Sequence, residues 1–371
     1  MKNKDIVAFS SIAFFLSYFS RLAWSILSPF SSLKPTIEDD GIIFTLFFIG
    51  YVSVQIPAGI LSDKIGTRKI IFTSLLGIFI SSLISGLAVN IIQEFIASFI
   101  MGLSAGWIYP VTIKMISNFF KGKELAIAMG YYSLAWPLSL VLAGDVLPFV
   151  GTSIGWRWGY FIISIISISS ALYSLKIPYA TSHKSSSFTI IRDKSVVMIA
   201  IGGFLFFLSY WSIALFLYKY LLETVYNPYI SGVIYSLTAL PGIFSTIVSG
   251  KIINLLGVRK VFILFISLYG ILTISISFVY FAIFLGIIAS FMGLIRFVIT
   301  PANSTAVAQI GKENSGSVTG FANFFWQSSG ILSSFLSAII ISSLGFRFLW
   351  IFMGLITLLS VIFYSLIRVS Q

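Results

Sequence analysis

Twelve times along this chain an apolar run long enough to cross a bilayer gives way to a short polar or charged break. About 20 apolar residues in helical form span the hydrocarbon core of a membrane, where every backbone group must find an internal partner. The runs fall at about 6–29, 41–62, 69–89, 91–118, 124–147, 158–177, 195–220, 229–250, 260–280, 282–309, 316–341 and 346–368. The expected fold is therefore an all-α integral membrane protein of twelve transmembrane helices, six in each half. Composition agrees, with 58% hydrophobic and 9% charged residues, against a charged share of roughly 25% in soluble domains. There is no cysteine, which excludes disulfides and thiolate chemistry. The first run is too long for a signal-peptide core and lacks a small-residue cleavage pattern, so it reads as a retained helix.

The net charge is +12. Its Lys and Arg residues are scattered between apolar runs rather than gathered on one soluble face, which argues against nucleic acid as a partner. With the N-terminus inside, sixteen basic residues fall in cytoplasmic loops and only Lys34, Arg157, Lys219 and Arg347 outside. That asymmetry predicts a multi-pass protein of the cell membrane with both termini cytoplasmic.

A polar knot from Gly59 to Lys69 separates the second and third runs and contains Asp63, Gly66, Arg68 and Lys69. It returns 191 residues on (250 − 59) as Gly250, Asn254, Gly257, Arg259 and Lys260, with Asn254 in the place of Asp63. A second signature, Gly155-Trp156-Arg157-Trp158, is answered by Gly345-Phe346-Arg347-Phe348, and Gly102, Leu103 and Pro110 by Gly293, Leu294 and Pro301. The chain reads as a duplication, with halves at 1–177 and 195–371 and a Ser-rich, basic cytoplasmic linker at 178–194. Gly66 supplies the permissive backbone of a tight turn. Gly59 and Gly250 are expected to let helices cross closely, and Asp63 to accept hydrogen bonds at a helix N-terminus.

These residues resemble the loop between helices two and three of the major facilitator superfamily of transporters, and the resemblance covers nearly the whole chain. It implies two pseudo-symmetric six-helix bundles, a midplane site lined by helices one, four, seven and ten, a rocking mechanism and a monomer. The gate of such a fold would be held by Asp63, Arg68 and Lys69. The chain departs from the superfamily at Ser98, where an Arg is common.

Ionisable residues inside the spans are the best clue to the substrate, since each costs about 2.5 to 3.5 kcal/mol at a helix centre. Arg21 lies deep in the first run on a stripe with Ser17, Tyr18, Ser25 and Ser28; Arg296 lies near the centre of the tenth, with Thr300 and Asn303 on its face. Two such guanidinium groups predict an anionic small-molecule substrate. The alternative is that each snorkels to the interface or pairs with backbone carbonyls. Tyr51 and Gln55 on the second run, with Tyr18 and Arg21, resemble the anion:cation symporter branch of the superfamily. Two acids usual in that branch are replaced by Ser20 and Ala105. The acid census leaves Asp145 as the one acid placed within a span, so proton coupling would rest on Asp145 or on the substrate's own proton.

Nothing in the sequence calls for a cofactor or a metal. A membrane-embedded enzyme would need nucleophiles or ligands that the spans lack, and a sensor would need a soluble signalling domain. Export of drugs or sugars by the same fold is the closer alternative.

Overall fold

The computed structural model describes residues 3–177, 193–311 and 315–367, apart from the side chains at 3, 59, 60, 63, 123, 126 and 315–317. Most of the expected linker therefore lies outside the described residues. So do Gly59 and the side chain of Asp63, and with them the expected latch. No described residue belongs to a strand.

Eleven helical stretches among the described residues are long and apolar enough to span a membrane. One of them, Ile127–Ser174, has 48 residues. At 1.5 Å per residue it would run for about 70 Å, more than twice the hydrocarbon core. It is two spans. The chain turns through a π-helical segment at Gly151–Gly155 and reverses at Gly155, whose φ is +101°. The twelve expected spans are thus all present.

In chain order the helices are α1 (Asn3–Leu27), α2 (Ile37–Ser53, continued by Gln55–Ile65), α3 (Thr67–Leu87) and α4 (Ile91–Gly106, continued by Ile108–Phe119). Next come α5 (Gly122–Ser133, continued by Ala135–Val150), α6 (Trp156–Ser174), α7 (Lys194–Val225) and α8 (Pro228–Leu237, continued by Leu240–Leu256). Helix α9 runs from Val258 to Ile276 through a π-helical segment at Phe262–Ile266, and α10 (Ala282–Gly311), α11 (Ser315–Leu344) and α12 (Phe346–Ser365) complete the chain.

The chain divides into two compact units, Met1–Lys184 and Ser185–Gln371. In the first, α2 packs along α4, α3 along α6 and α1 along α5; in the second, α8 packs along α10, α9 along α12 and α7 along α11. The duplicated sequence has produced the same set of neighbours twice. Helices α1 and α7 are the most enclosed, with 78% and 72% of their apolar windows buried, whereas α9 and α12 bury 39%.

Glycines set the closest crossings, though Gly250 is not among them. A methyl group at Gly50 would lie 2.5 Å from the Phe99 carbonyl oxygen, and one at Gly102 would lie 2.8 Å from the Phe47 carbonyl carbon and nearer still to its oxygen. Ser98, in place of an Arg, adds a hydrogen bond from its hydroxyl to the Ile43 carbonyl at 2.8 Å across the same contact. In the second unit Gly293 does the work of Gly102, its added methyl falling 2.7 Å from the Leu237 carbonyl oxygen. Gly250 is exposed, with no described atom near enough to touch an added methyl group. The expected close crossing at Gly250 is therefore corrected: the backbone contact sits deeper, where α8 meets α10.

The knots do form matching turns. Gly66 has φ 84° and ψ 150°, and Gly257 has φ 77° and ψ 149°, a region closed to most side chains. Arg68 donates to the carbonyl oxygens of Leu175 and Ile177 at 3.4 and 3.3 Å, so it caps the C-terminal end of α6, where the helix dipole favours a cation. Lys69, Asn254, Arg259 and Lys260 are exposed. Arg68→Ala is expected to cost about 0.5 to 2 kcal/mol of stability, read as a lower Tm in detergent, while Arg259→Ala leaves Tm unchanged.

Candidate functional site

Arg21 sits three-quarters of the way along α1 with only 2% of its surface exposed. Its guanidinium is enclosed within the first unit rather than directed to the unit's surface. Its guanidinium carbon lies 4.6 Å from the ring centre of Tyr18, one turn earlier on the same helix. From α2, Phe47, Phe48 and Tyr51 approach to 4.9, 5.0 and 4.3 Å. Each such contact is worth about 0.5 to 2 kcal/mol, at the upper end when water is excluded. Four rings together offset much of the cost of holding the charge inside a membrane helix.

Arg296, 1% exposed, is enclosed in the same manner by the second unit. Phe206, Phe207 and Tyr210 of α7 stand 5.4, 4.9 and 4.2 Å from its guanidinium carbon, and Phe297 stands at 5.8 Å. Its Nη1 donates to the hydroxyl of Thr300, one turn further along α10. The polar face expected around Arg296 thus holds as far as Thr300.

The rings of the second cage come from a stretch that sequence reasoning passed over. Phe14-Phe15-Leu16-Ser17-Tyr18 on α1 recurs letter for letter as Phe206-Phe207-Leu208-Ser209-Tyr210 on α7, 192 residues on (206 − 14). Each copy ends in the tyrosine that faces an arginine. The arginines themselves are not equivalent, since the repeat partner of Arg296 is Ala105. Ala105 is fully buried, and its carbonyl accepts the Ser17 hydroxyl at 3.2 Å, tying α4 to α1.

The remaining candidates are placed as follows. Tyr18 and Tyr51 belong to the Arg21 cage. Gln55 lies one turn beyond it and donates its amide to the Gly106 carbonyl at 2.9 Å, where α2 and α4 both break their helical path. Asn303, two turns beyond Arg296, accepts the Tyr364 hydroxyl at 2.9 Å and so faces α12 rather than the cage. Asp145 stands on an exposed face of α5. It is not the lone acid within a candidate span: Asp40 and Glu94, each 2% exposed, are buried within α2 and α4.

The sequence model of the Major Facilitator Superfamily matches residues 9–334. A hexuronate transporter of Bacillus subtilis is 27% identical over 184 residues, which cover 47% of this chain and 43% of that protein. A D-galactonate transporter of Escherichia coli is 25% identical over 142 residues, 38% of this chain and 33% of its own length. The quinolone resistance protein NorB of Staphylococcus aureus is 30% identical over 191 residues, 48% of this chain and 40% of NorB. The alignments thus span less than half the length of these relatives. Among solved structures, a point mutant of the nucleoside transporter NupG superposes with a TM-score of 0.81 at 13% identity, over 97% of this chain and 98% of NupG. A bacterial homologue of the human lysosomal transporter Spinster gives 0.79 at 13% identity, over 98% and 96% of the two chains. Likeness at that identity establishes the shared fold, and the match of the sequence model across both halves establishes descent: this chain belongs to the major facilitator superfamily.

Proposed function

We propose that the protein is a secondary or facilitative transporter that moves a small organic anion across the membrane by alternating access. The observation that carries this reading is a buried arginine in each unit, enclosed by aromatic rings of α1 and α2 in the first and of α7 and α10 in the second. A guanidinium pairs with a carboxylate through two parallel hydrogen bonds, and a surrounding of rings raises the strength of that pairing by excluding water. Relatives named for hexuronate and D-galactonate, both sugar acids, point to the same chemistry. In this reading each arginine is a carboxylate partner within its own unit, Arg21 beside Tyr18 and Tyr51 and Arg296 beside Tyr210.

The testing experiment is uptake of radiolabelled glucuronate, galactonate and inorganic phosphate into liposomes carrying the purified protein, with Tm in detergent read in parallel. Uptake of a sugar acid, together with a Tm raised by the same compound, is the expected result, because a ligand of the folded state raises its stability. Uptake of none of them, with a Tm raised by a fluoroquinolone, would establish the second reading. That reading, drug export, is favoured by the identity with NorB.

A further inference from the structure

The first unit buries two carboxyl groups that an arginine-based anion site leaves unused. Both lie one turn inside the end of the bundle opposite the Gly66 turn, Asp40 on α2 and Glu94 on α4. The Trp24 indole N–H donates to Asp40 Oδ1 at 2.8 Å. The Trp24 ring meets the Trp156 ring edge-on at 6.1 Å, and Trp156 meets Tyr160 edge-on, also at 6.1 Å. Tyr160 then donates its hydroxyl to Glu94 Oε1 at 3.4 Å, and Ser85 donates to the same oxygen at 3.0 Å. The other carboxyl oxygen, Glu94 Oε2, is fully buried and has no hydrogen-bond partner among the described residues.

The helices packed against Glu94 bring little charge to it. Helix α3 contributes Ser85, and α2 contributes Asp40, itself an acid. Helix α6 contributes Tyr160 and, one turn earlier, Arg157. That guanidinium is turned to the Ala88 carbonyl at 2.8 Å and the Ser32 hydroxyl at 3.1 Å and lies 4.8 Å from the Trp156 ring centre. On α4 itself, Gln93 accepts from the Val89 backbone N–H at 2.8 Å. Among the described residues, Glu94 has two hydroxyl donors and no ion-pair partner.

A buried carboxylate with one bare oxygen and no cation opposite costs far more than a neutral carboxylic acid in the same place. A proton on Oε2 removes the charge and leaves Oε1 to accept from Ser85 and Tyr160. We propose that Glu94 is a proton-carrying carboxyl of the transport cycle, holding its proton on Oε2 in the conformation described here. The step is a dissociation: the O–H bond of the acid breaks, water at the end opposite the Gly66 turn takes the proton, and the carboxylate keeps the electron pair. Arg157 ties the α3–α4 connection to the α1–α2 connection at that end, so release of its bonds to Ala88 and Ser32 is the motion that admits water. The inference rests on the transport reading for its role in a cycle, but not for the protonation itself.

The test therefore has a readout that needs no substrate. Infrared difference spectra of the purified protein between two pH values are expected to show the carbonyl stretch of a protonated acid, absent in Glu94→Gln. The same band should shift in Ser85→Ala and in Tyr160→Phe, which keep the acid and remove one donor each; these two variants carry the test if Glu94→Gln fails to fold. In liposomes, Glu94→Gln is expected to lose accumulation driven by a pH gradient and to retain exchange of substrate for substrate. A band that persists in Glu94→Gln, or that fails to move in both donor variants, would overturn the proposal, as would undiminished gradient-driven accumulation. If no anion is transported by the parent while the band is present and lost in Glu94→Gln, the protonated acid stands and the anion reading falls.

Discussion

Arg21→Lys is expected to lower sugar-acid uptake by about tenfold to a hundredfold, and Arg21→Met to abolish it, with Arg296 behaving alike. Lysine keeps the charge but loses the planar fork that pairs bidentately and stacks between rings, at a cost of roughly 1.5 to 3 kcal/mol of charge-assisted bonding. The stability of the same variants separates function from architecture. An arginine inside a membrane helix carries a cost of its own that methionine does not, and methionine fits among aromatic rings. If the arginines serve the substrate, Arg21→Met and Arg296→Met keep or raise Tm in detergent while transport vanishes. If they are structural pillars of the α1–α2 and α7–α10 contacts, Tm falls in step with uptake, and the substrate role is refuted.

The fold was legible because a bilayer admits so few solutions. Runs of about 20 apolar residues must be helices, and the two knots announced both the duplication and its turns, down to the positive φ at Gly66 and Gly257. The site was legible in part. Arg21 and Arg296 stood out as charges inside apolar runs, but Phe47, Phe48, Phe206 and Phe207 carry no such mark among 37 phenylalanines. Phe206 and Phe207 had one signal, the repeated pentapeptide ending at Tyr18 and Tyr210, hidden because its offset of 192 differs by one from that of the knots, and Phe47 and Phe48 had none. The acids were misplaced for a related reason. Asp40 and Glu94 stand near helix starts, where carboxylates ordinarily face water and the positive end of the dipole, and only the packing of α3 and α6 encloses Glu94. Asp145 has the more apolar sequence neighbours, yet its helix turns it outward.

The glycines teach the same point and carry the second large effect. Gly102→Ala is expected to deplete folded protein severely, because its methyl group would be driven into the Phe47 carbonyl, and a backbone atom cannot rotate away as a side chain can. Overpacking of ordinary cores costs about 1 to 3 kcal/mol, and a backbone contact belongs at the upper end of that range or beyond it. The displaced element would be α2, which carries Phe47, Phe48 and Tyr51 to the Arg21 guanidinium. Whatever Gly102→Ala protein does fold should therefore also show weakened anion binding, although position 102 touches no arginine. Gly293→Ala presses on the Leu237 and Thr238 backbone from slightly further off and should cost less. Gly250→Ala, at an open position, should lower neither yield nor Tm. The measurement is monodisperse yield and Tm of the three variants in one detergent. The order Gly102→Ala below Gly293→Ala below Gly250→Ala is expected, and equal losses at 102 and 250 would refute the view that the close helix contacts require glycine at 102 and not at 250.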